Sequence, residues 1–321
     1  MPDLHTRPAR LEDTAAISQL ARAEITAWQR RDAGGTIQDV PYEALTIYER
    51  WLHGGPWMSQ ETATLHLNHL LLGGGLPFVV EAEGRIVAYA EAYPGAEPAP
   101  YGEHLHLGPL LLPPYAEGTA SPGPLADALI AGVRAAAKAL RLPRLTAVCA
   151  SGDSTSAALY GRHGLAAFST LQRMTLPARA GQGFYKVTDH PDANPTQIKG
   201  WGMPVGRVSS ARQQWESLWP LTLQAVPEIA GQQGRRVHLS ASGQEALLYC
   251  EKRLYAPRQA ELSLWAPRPL TGQLLTALRD WCHKEGYRTL VLTVTEETAA
   301  VLGAEAEADG YHLDVYAAAI V

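Results

Sequence analysis

The stretch that most constrains the fold runs from Arg144 to Leu165, RLTAVCASGDSTSAALYGRHGL. Leu145 to Cys149 is an apolar, partly β-branched run of strand length, Gly152 and Asp153 break it, and an alanine-rich helix then ends at Gly164. Upstream, Leu105 to Leu112 reads as another strand, and Leu125, Leu129, Val133, Ala136 and Leu140 recur between the two at helical spacing. The order strand, helix, strand, helix calls for parallel strands joined by a right-handed crossover. Two alternating runs, Pro77 to Glu81 and Arg85 to Tyr93, meet at Glu83-Gly84 and predict an antiparallel hairpin ahead of this unit.

The same series recurs later in the chain. Arg235 to Ala241, a turn at Ser242-Gly243 and Ala246 to Lys252 repeat the hairpin; Ala260 to Trp265, Leu270 to Lys284 and Leu290 to Thr295 repeat strand, helix and strand. Helix start to next strand takes about 20 positions in each copy, Leu125 to Leu145 and Leu270 to Leu290. Hairpin turn to helix start takes about 41 positions in the first copy and about 27 in the second, so the second has lost the loop before its helix. The turn-rich link after Pro177, with room for a short strand at Phe184 to Val187, divides the copies. Residues 1–178 are expected to form the first domain, 179–200 a linker and 201–321 the second domain.

The N-terminal region adds an expected first strand and a helix capped by Asp13, carrying Ile17, Leu20, Ala21, Ile25 and Trp28 on one face and ending at Gly34-Gly35. Helical stretches are predicted over Tyr42 to His53 and Ser59 to Leu72. In the 321 residues, 46% are hydrophobic and the net charge is −5, with no block of like charges, which argues against nucleic acid as a partner. No apolar run reaches membrane-spanning length and MPDLHTRPAR lacks a signal core, so a cytoplasmic protein without membrane partners is expected. Cys149, Cys250 and Cys282 are scattered and odd in number, indicating neither disulfides nor a metal site.

Asp153 to Leu165 resembles the last conserved block of the GNAT acyltransferases, Asn-x-x-Ala, Leu-Tyr, Gly-Phe. Asp153 stands for the Asn, Ser156 for the Ala, Leu159-Tyr160 match, and Gly164-Leu165 stand for Gly-Phe. His5 to Ala9 with Asp13 also looks like that family's opening, and Val79 to Tyr93 like its second hairpin. The resemblance implies an α/β fold of two tandem GNAT-like domains, similar in plan to other two-copy acyltransferases. Each domain would be a mixed, mostly antiparallel sheet flanked by helices, its parallel fourth and fifth strands splayed to leave a slot for a pantetheine arm. It implies an N-acyltransferase that moves an acetyl group from acetyl-CoA to the amine of a small molecule or peptide by direct attack, with oligomers possible. The rival reading is a non-catalytic coenzyme-sensing or assembly module.

Acyl transfer from a coenzyme needs a pyrophosphate cradle, an oxyanion donor, a base and an acid. A glycine-rich turn entering a helix supplies the first, and Gly118, Thr119, Ala120, Ser121 and Gly123 lie where it belongs, with Pro122 and Pro124 lacking N–H donors. Resemblance places the oxyanion donor and the pantetheine arm at Leu110, Leu111 and Leu112, and Asp153 at the coenzyme. Glu103, His104 and His106 are the candidate bases, and strand alternation alone does not choose among them. Tyr160 is the candidate acid for the departing thiolate, a phenol that stays protonated at neutral pH. Counted back from Gly310, the second copy has Ala306 in place of Tyr160 and Ala299 in place of Asp153, so it is expected to be a scaffold. The aromatic region holding Trp28, Tyr42, Tyr48, Trp51, Trp57, His66 and His69 is a candidate acceptor wall, against the plainer role of core packing.

Overall fold

The computed structural model describes residues 3–32, 34–113, 122–181 and 183–320. The chain divides into two compact units: Met1–Tyr93 with Leu107–Leu140 and Leu221–Gln232, and Pro94–His106 with Arg141–Pro220 and Gln233–Val321.

The first unit starts with β1 (Leu4–Pro8) and α1 (Thr14–Ala23), followed by a small hairpin of β2 (Gln29–Arg31) and β3 (Ile37–Asp39). Asp13 does not cap α1 through its side chain; its carboxylate takes the Arg7 guanidinium at 2.8 and 3.0 Å and the Arg10 N–H at 2.8 Å. Gly35 closes the β2–β3 turn, its N–H on the Asp32 carbonyl, so it lies well beyond the helix it was expected to end. The predicted helix over 42–53 is a single turn at Tyr42–Ala44 and then α2 (Ile47–Trp51), because Thr46 and Glu49 form a capping box that restarts it. Ser59 caps α3 (Gln60–His69). β4 (Leu76–Ala82) lies between β1 and β5 (Arg85–Ala96), antiparallel to both. Glu83 and Gly84 both adopt positive φ, 50° and 75°, as a two-residue turn matched to strand twist requires. β6 (Glu103–Leu111), whose Glu103–His106 belong to the second unit, and α4 (Pro122–Ala139) follow.

The second unit contains β7 (Arg144–Ala150), α5 (Ser154–Arg162), β8 (Ala166–Pro177), β9 (Tyr185–Asp189), β10 (Gly202–Val205) and α6 (Ala211–Leu218). After α7 (Pro227–Ala230), which belongs to the first unit, come β11 (Arg235–Ala241), β12 (Gln244–Arg253), β13 (Ala256–Ala266), α8 (Gly272–Lys284), β14 (Thr289–Thr295), α9 (Glu296–Leu302) and β15 (Glu307–Ala319). The repeat is physical. β9, β11 and β12 pair antiparallel as β1, β4 and β5 do, and β13 and β14 are parallel as β6 and β7 are, with Leu105 opposite Leu145 and Ala260 opposite Leu290. Ser242 and Gly243 repeat the turn, with φ 50° and 72°. The stretch 179–200 is therefore not a bare connection: it supplies β9, the opening strand of the second series.

At the centre of this sheet the order is β7, β15, β8, β14, all antiparallel neighbours. Each series thus has the other's last strand beside its own parallel pair. The core of the second series gathers Val237, Leu248, Leu264, Leu278 and Leu292, all fully buried. On the other face Trp215 and Trp219 stack at 4.4 Å, with Trp265 edge-on to both. All three cysteines are buried and free. Among the described residues no helix is long and apolar enough to cross a membrane.

Candidate functional site

In the second unit α5 begins where the strand-turn-helix pattern places it, and Asp153 is its cap. One carboxylate oxygen accepts the Thr155 and Ser156 N–H groups at 3.1 Å, and the other accepts the Ser156 hydroxyl at 2.6 Å. The Ser156 hydroxyl is the leading cause that holds this carboxyl below its ordinary range. Seven positions on, Tyr160 is 5% exposed. Its hydroxyl points at the Val148 carbonyl on β7 across a long 3.5 Å, and its ring meets Tyr316 of β15 at 5.3 Å between centroids. Burial raises the pKa of this phenol, so it keeps its proton through neutral and alkaline pH. Among the described residues this uncharged O–H has that one long, weak acceptor, so it can donate to an anion that forms beside it.

The three candidate bases separate by environment. Glu103 is exposed and, with Gly95, Glu97, Lys199 and Arg212, lines a cavity of about 230 Å³. His104 is fully buried; Nδ1 lies 2.9 Å from the Gly102 carbonyl and Nε2 lies 3.7 Å from Glu97. His106 is 3% exposed, with Nδ1 2.9 Å from the Thr146 hydroxyl. Burial lowers both imidazole pKa values, His106 well below the usual value, so both stay neutral where an exposed histidine begins to protonate.

A stability consequence follows. The folded pKa is depressed, so below about pH 6.5 the unfolded chain takes up protons that the folded chain refuses. Stability should therefore be complete above that pH and fall as pH drops toward about 5, by up to about 1.4 kcal/mol per pH unit for each histidine that stays neutral. Urea unfolding at stepped pH reads this directly. A flat profile over that window, in the wild type and in His106→Asn alike, would contradict the burial argument.

The same unit holds a charge pair that local sequence patterns do not reveal. Glu97 and Arg207 form a buried ion pair, their side chains 1% and 4% exposed. Glu97 also accepts the Ala211 N–H at 3.0 Å, and the Arg207 guanidinium lies 4.0 Å over the Tyr101 ring.

In the first unit, Leu111 is buried in the core with Val79, Tyr89 and Tyr93, while Leu110 and Leu112 are partly exposed. Burial raises the Glu24 pKa and the Leu112 backbone N–H opposes that rise, so this amide already faces a carboxylate. Gly123 lies in the first turn of α4, whereas Gly118, Thr119, Ala120 and Ser121 lie outside the described residues.

Of the aromatic region, Trp57 lies in the core and Trp28 packs against it, while Tyr42, Tyr48, Trp51, His66 and His69 are half-buried; one polar centre lies among them. Glu91 is 2% exposed and accepts the Trp57 indole N–H at 2.8 Å and the Tyr89 hydroxyl at 3.2 Å; the Tyr93 hydroxyl and His66, at 3.3 Å, complete its surroundings. Burial pushes this carboxyl up, but His66 and the donors outweigh it and leave the pKa lowered. The sequence does carry a signal for this cluster: alternation along β5 puts residues 89, 91 and 93 on one face, two tyrosines flanking a carboxylate.

Caps also correct the comparison of the two copies. α9 is capped by Thr295, which accepts the Thr298 N–H, so Thr295 is the counterpart of Asp153, and seven positions on stands Leu302, not Ala306. α9 is two residues shorter than α5, and the glycine after it is Gly303 with φ 78°, because Gly310 lies inside β15. Gly310 is therefore not the counterpart of Gly164. The second copy has no hydroxyl at the Tyr160 position.

No protein-family model matches the chain, and no curated protein matches it. Solved structures do match. A GCN5-related N-acetyltransferase from Anabaena variabilis ATCC 29413 superimposes with a TM-score of 0.60 at 9% identity, covering 99% of this chain and 73% of its own. A GCN5-related N-acetyltransferase from Kribbella flavida gives 0.55 at 11% identity, over 98% and 71%. A conserved protein from Enterococcus faecalis V583, described as a probable N-acyltransferase, gives 0.57 at 12% identity, over 99% and 73%. At such identities the likeness establishes the fold: this chain has the GNAT fold, with its strand series present twice.

Proposed function

We propose that the chain is an N-acetyltransferase whose first copy moves an acetyl group from acetyl-CoA to the amine of a small molecule or peptide, by direct attack within a ternary complex. The observation that carries this reading is Tyr160: a buried, protonated phenol on a capped helix, its hydroxyl making one long contact among the described residues, at the position where the fold's sequence pattern expects an acid. In this reading Tyr160 protonates the departing thiolate. The backbone at Leu110 to Leu112 supplies the oxyanion donor. Gly118, Thr119, Ala120, Ser121 and Gly123 form the pyrophosphate cradle, and Asp153 acts by shaping the start of α5.

The incoming ammonium must lose a proton before it attacks. Glu103, at the mouth of an open cavity, can take it through water, and His104 or His106, held neutral by burial, can accept it without first being deprotonated. The first domain carries the chemistry and the second acts as its scaffold, lending β15 to β7, the strand that carries Val148, the carbonyl partner of Tyr160. The rival, a non-catalytic coenzyme-sensing module, shares the fold but needs no acid. Acetyl-dependent thiol release with a panel of amines tests the proposal.

A further inference from the structure

Two parallel strands that diverge expose a row of unpaired backbone N–H and C=O groups on their facing edges, and something must satisfy them. In the second copy β13 and β14 are paired from Gln259–Thr289 to Glu261–Val291. Beyond that point β12 continues along one edge of β13, with Leu248 opposite Leu264 and Leu247 opposite Trp265. On the other edge, the one facing β14, lies β10, antiparallel, with Val205 opposite Leu264 and Gly202 opposite Ala266. The next residue reaches across to the fifth strand: the Gly206 N–H donates to the Thr293 carbonyl of β14 at 2.7 Å.

We propose that the chain's own strand β10 permanently fills the second copy's acyl-coenzyme slot, so that the protein takes one coenzyme per chain. A pantetheine arm is a linear chain with two amides, and its means of gripping such an edge are the hydrogen bonds that β10 already makes. The residues here do not fit the coenzyme. β10 is also keyed into both faces: Val205 is fully buried in the core under α8, and Met203 is 5% exposed among Trp215, Trp219 and Trp265. The exit is as tight. Gly206 has φ 78°, and a Cβ there would overlap the Leu262 carbonyl. The Gln214 side chain clamps the turn, donating to the Gly206 carbonyl at 2.6 Å and accepting the Val208 and Ser209 N–H groups at 2.7 and 3.1 Å. Nor is a phosphate cradle left at the helix that follows: Pro269 lacks an N–H, and the Thr271 hydroxyl caps α8 by accepting the Leu274 N–H.

The count of one rests on the first copy being a coenzyme site; the filling of the second slot does not, and hydrogen exchange on the intact chain reads it alone. Without ligand, the Val205 and Gly206 amides should exchange on the order of 10³-fold more slowly than exposed loop amides, as core strands do. Saturating coenzyme A should leave them unchanged, and titration with coenzyme A should end at one equivalent per chain. Exchange at loop rates, deprotection of residues 202–206 by coenzyme A, or binding of two equivalents would each overturn the proposal. If no coenzyme A binds while β10 stays protected, the proposed acetyl transfer falls and the self-filled slot stands.

Discussion

Replacing Tyr160 by Phe should lower kcat by on the order of 10² to 10⁴, the range that loss of a positioned general acid produces. The change removes one hydroxyl and keeps the ring that packs on Tyr316 at 5.3 Å. Among the described residues that hydroxyl makes one contact, 3.5 Å to the Val148 carbonyl, so the folded state should lose no more than about 1 kcal/mol and coenzyme affinity should hardly change. Rate per folded molecule, with coenzyme saturating, therefore separates proton donation from packing. An unchanged turnover number would remove Tyr160 from the chemistry and shift the proton source to a water relay near His104 and His106.

The largest stability effect should come from Glu97→Ala. The variant leaves the Arg207 guanidinium, 4% exposed and stacked on Tyr101, without its carboxylate, and strips the Ala211 N–H of its acceptor. A buried charge that loses its partner costs about 3–5 kcal/mol. In the wild type burial lowers the Arg207 pKa and attraction to Glu97 outweighs it; in the variant the guanidinium still does not escape by deprotonating, because an arginine keeps its charge in proteins. Urea unfolding should show the loss, and Glu97→Leu combined with Arg207→Met should recover most of it, because an apolar pair of similar volume has no charge to desolvate. A loss under about 1 kcal/mol in the single variant would mean that water reaches the guanidinium and that the pair is not the buried anchor its geometry implies.

The two predictions differ in how far the sequence anticipates them. The place of Tyr160 on its helix, though not its ring contact with Tyr316 of β15, is legible because strand β7, the Gly152-Asp153 break and the cap all lie between Arg144 and Tyr160, and local chemistry survives in the order of letters. The Glu83-Gly84 and Ser242-Gly243 turns are legible for the same reason. Glu97 and Arg207 stand 110 positions apart, and no periodicity links them. The exchange of β15 and β8 is hidden likewise: both strands follow a short helix, and their pattern does not say whose edge each joins. Ala306 is not the counterpart of Tyr160, because Gly310 lies within β15 and the glycine that follows α9 is Gly303. β10 has no such local signal: a four-residue strand before Gly206 is too short for its alternation to show, and the edge it covers belongs to β13.

The claim that the chain is an acetyltransferase, and not a coenzyme-binding module that has lost its chemistry, stands or falls on turnover. Binding of acetyl-CoA alone cannot decide it, since both would bind. Intact protein should be incubated with acetyl-CoA and primary amines ranging from small molecules to peptides, with free thiol and N-acetyl product followed together. The account predicts that at least one amine class releases thiol and yields acetylated amine in equal amounts, and that Tyr160→Phe abolishes most of both. Saturable binding of acetyl-CoA with no amine-dependent thiol release across the panel would contradict it.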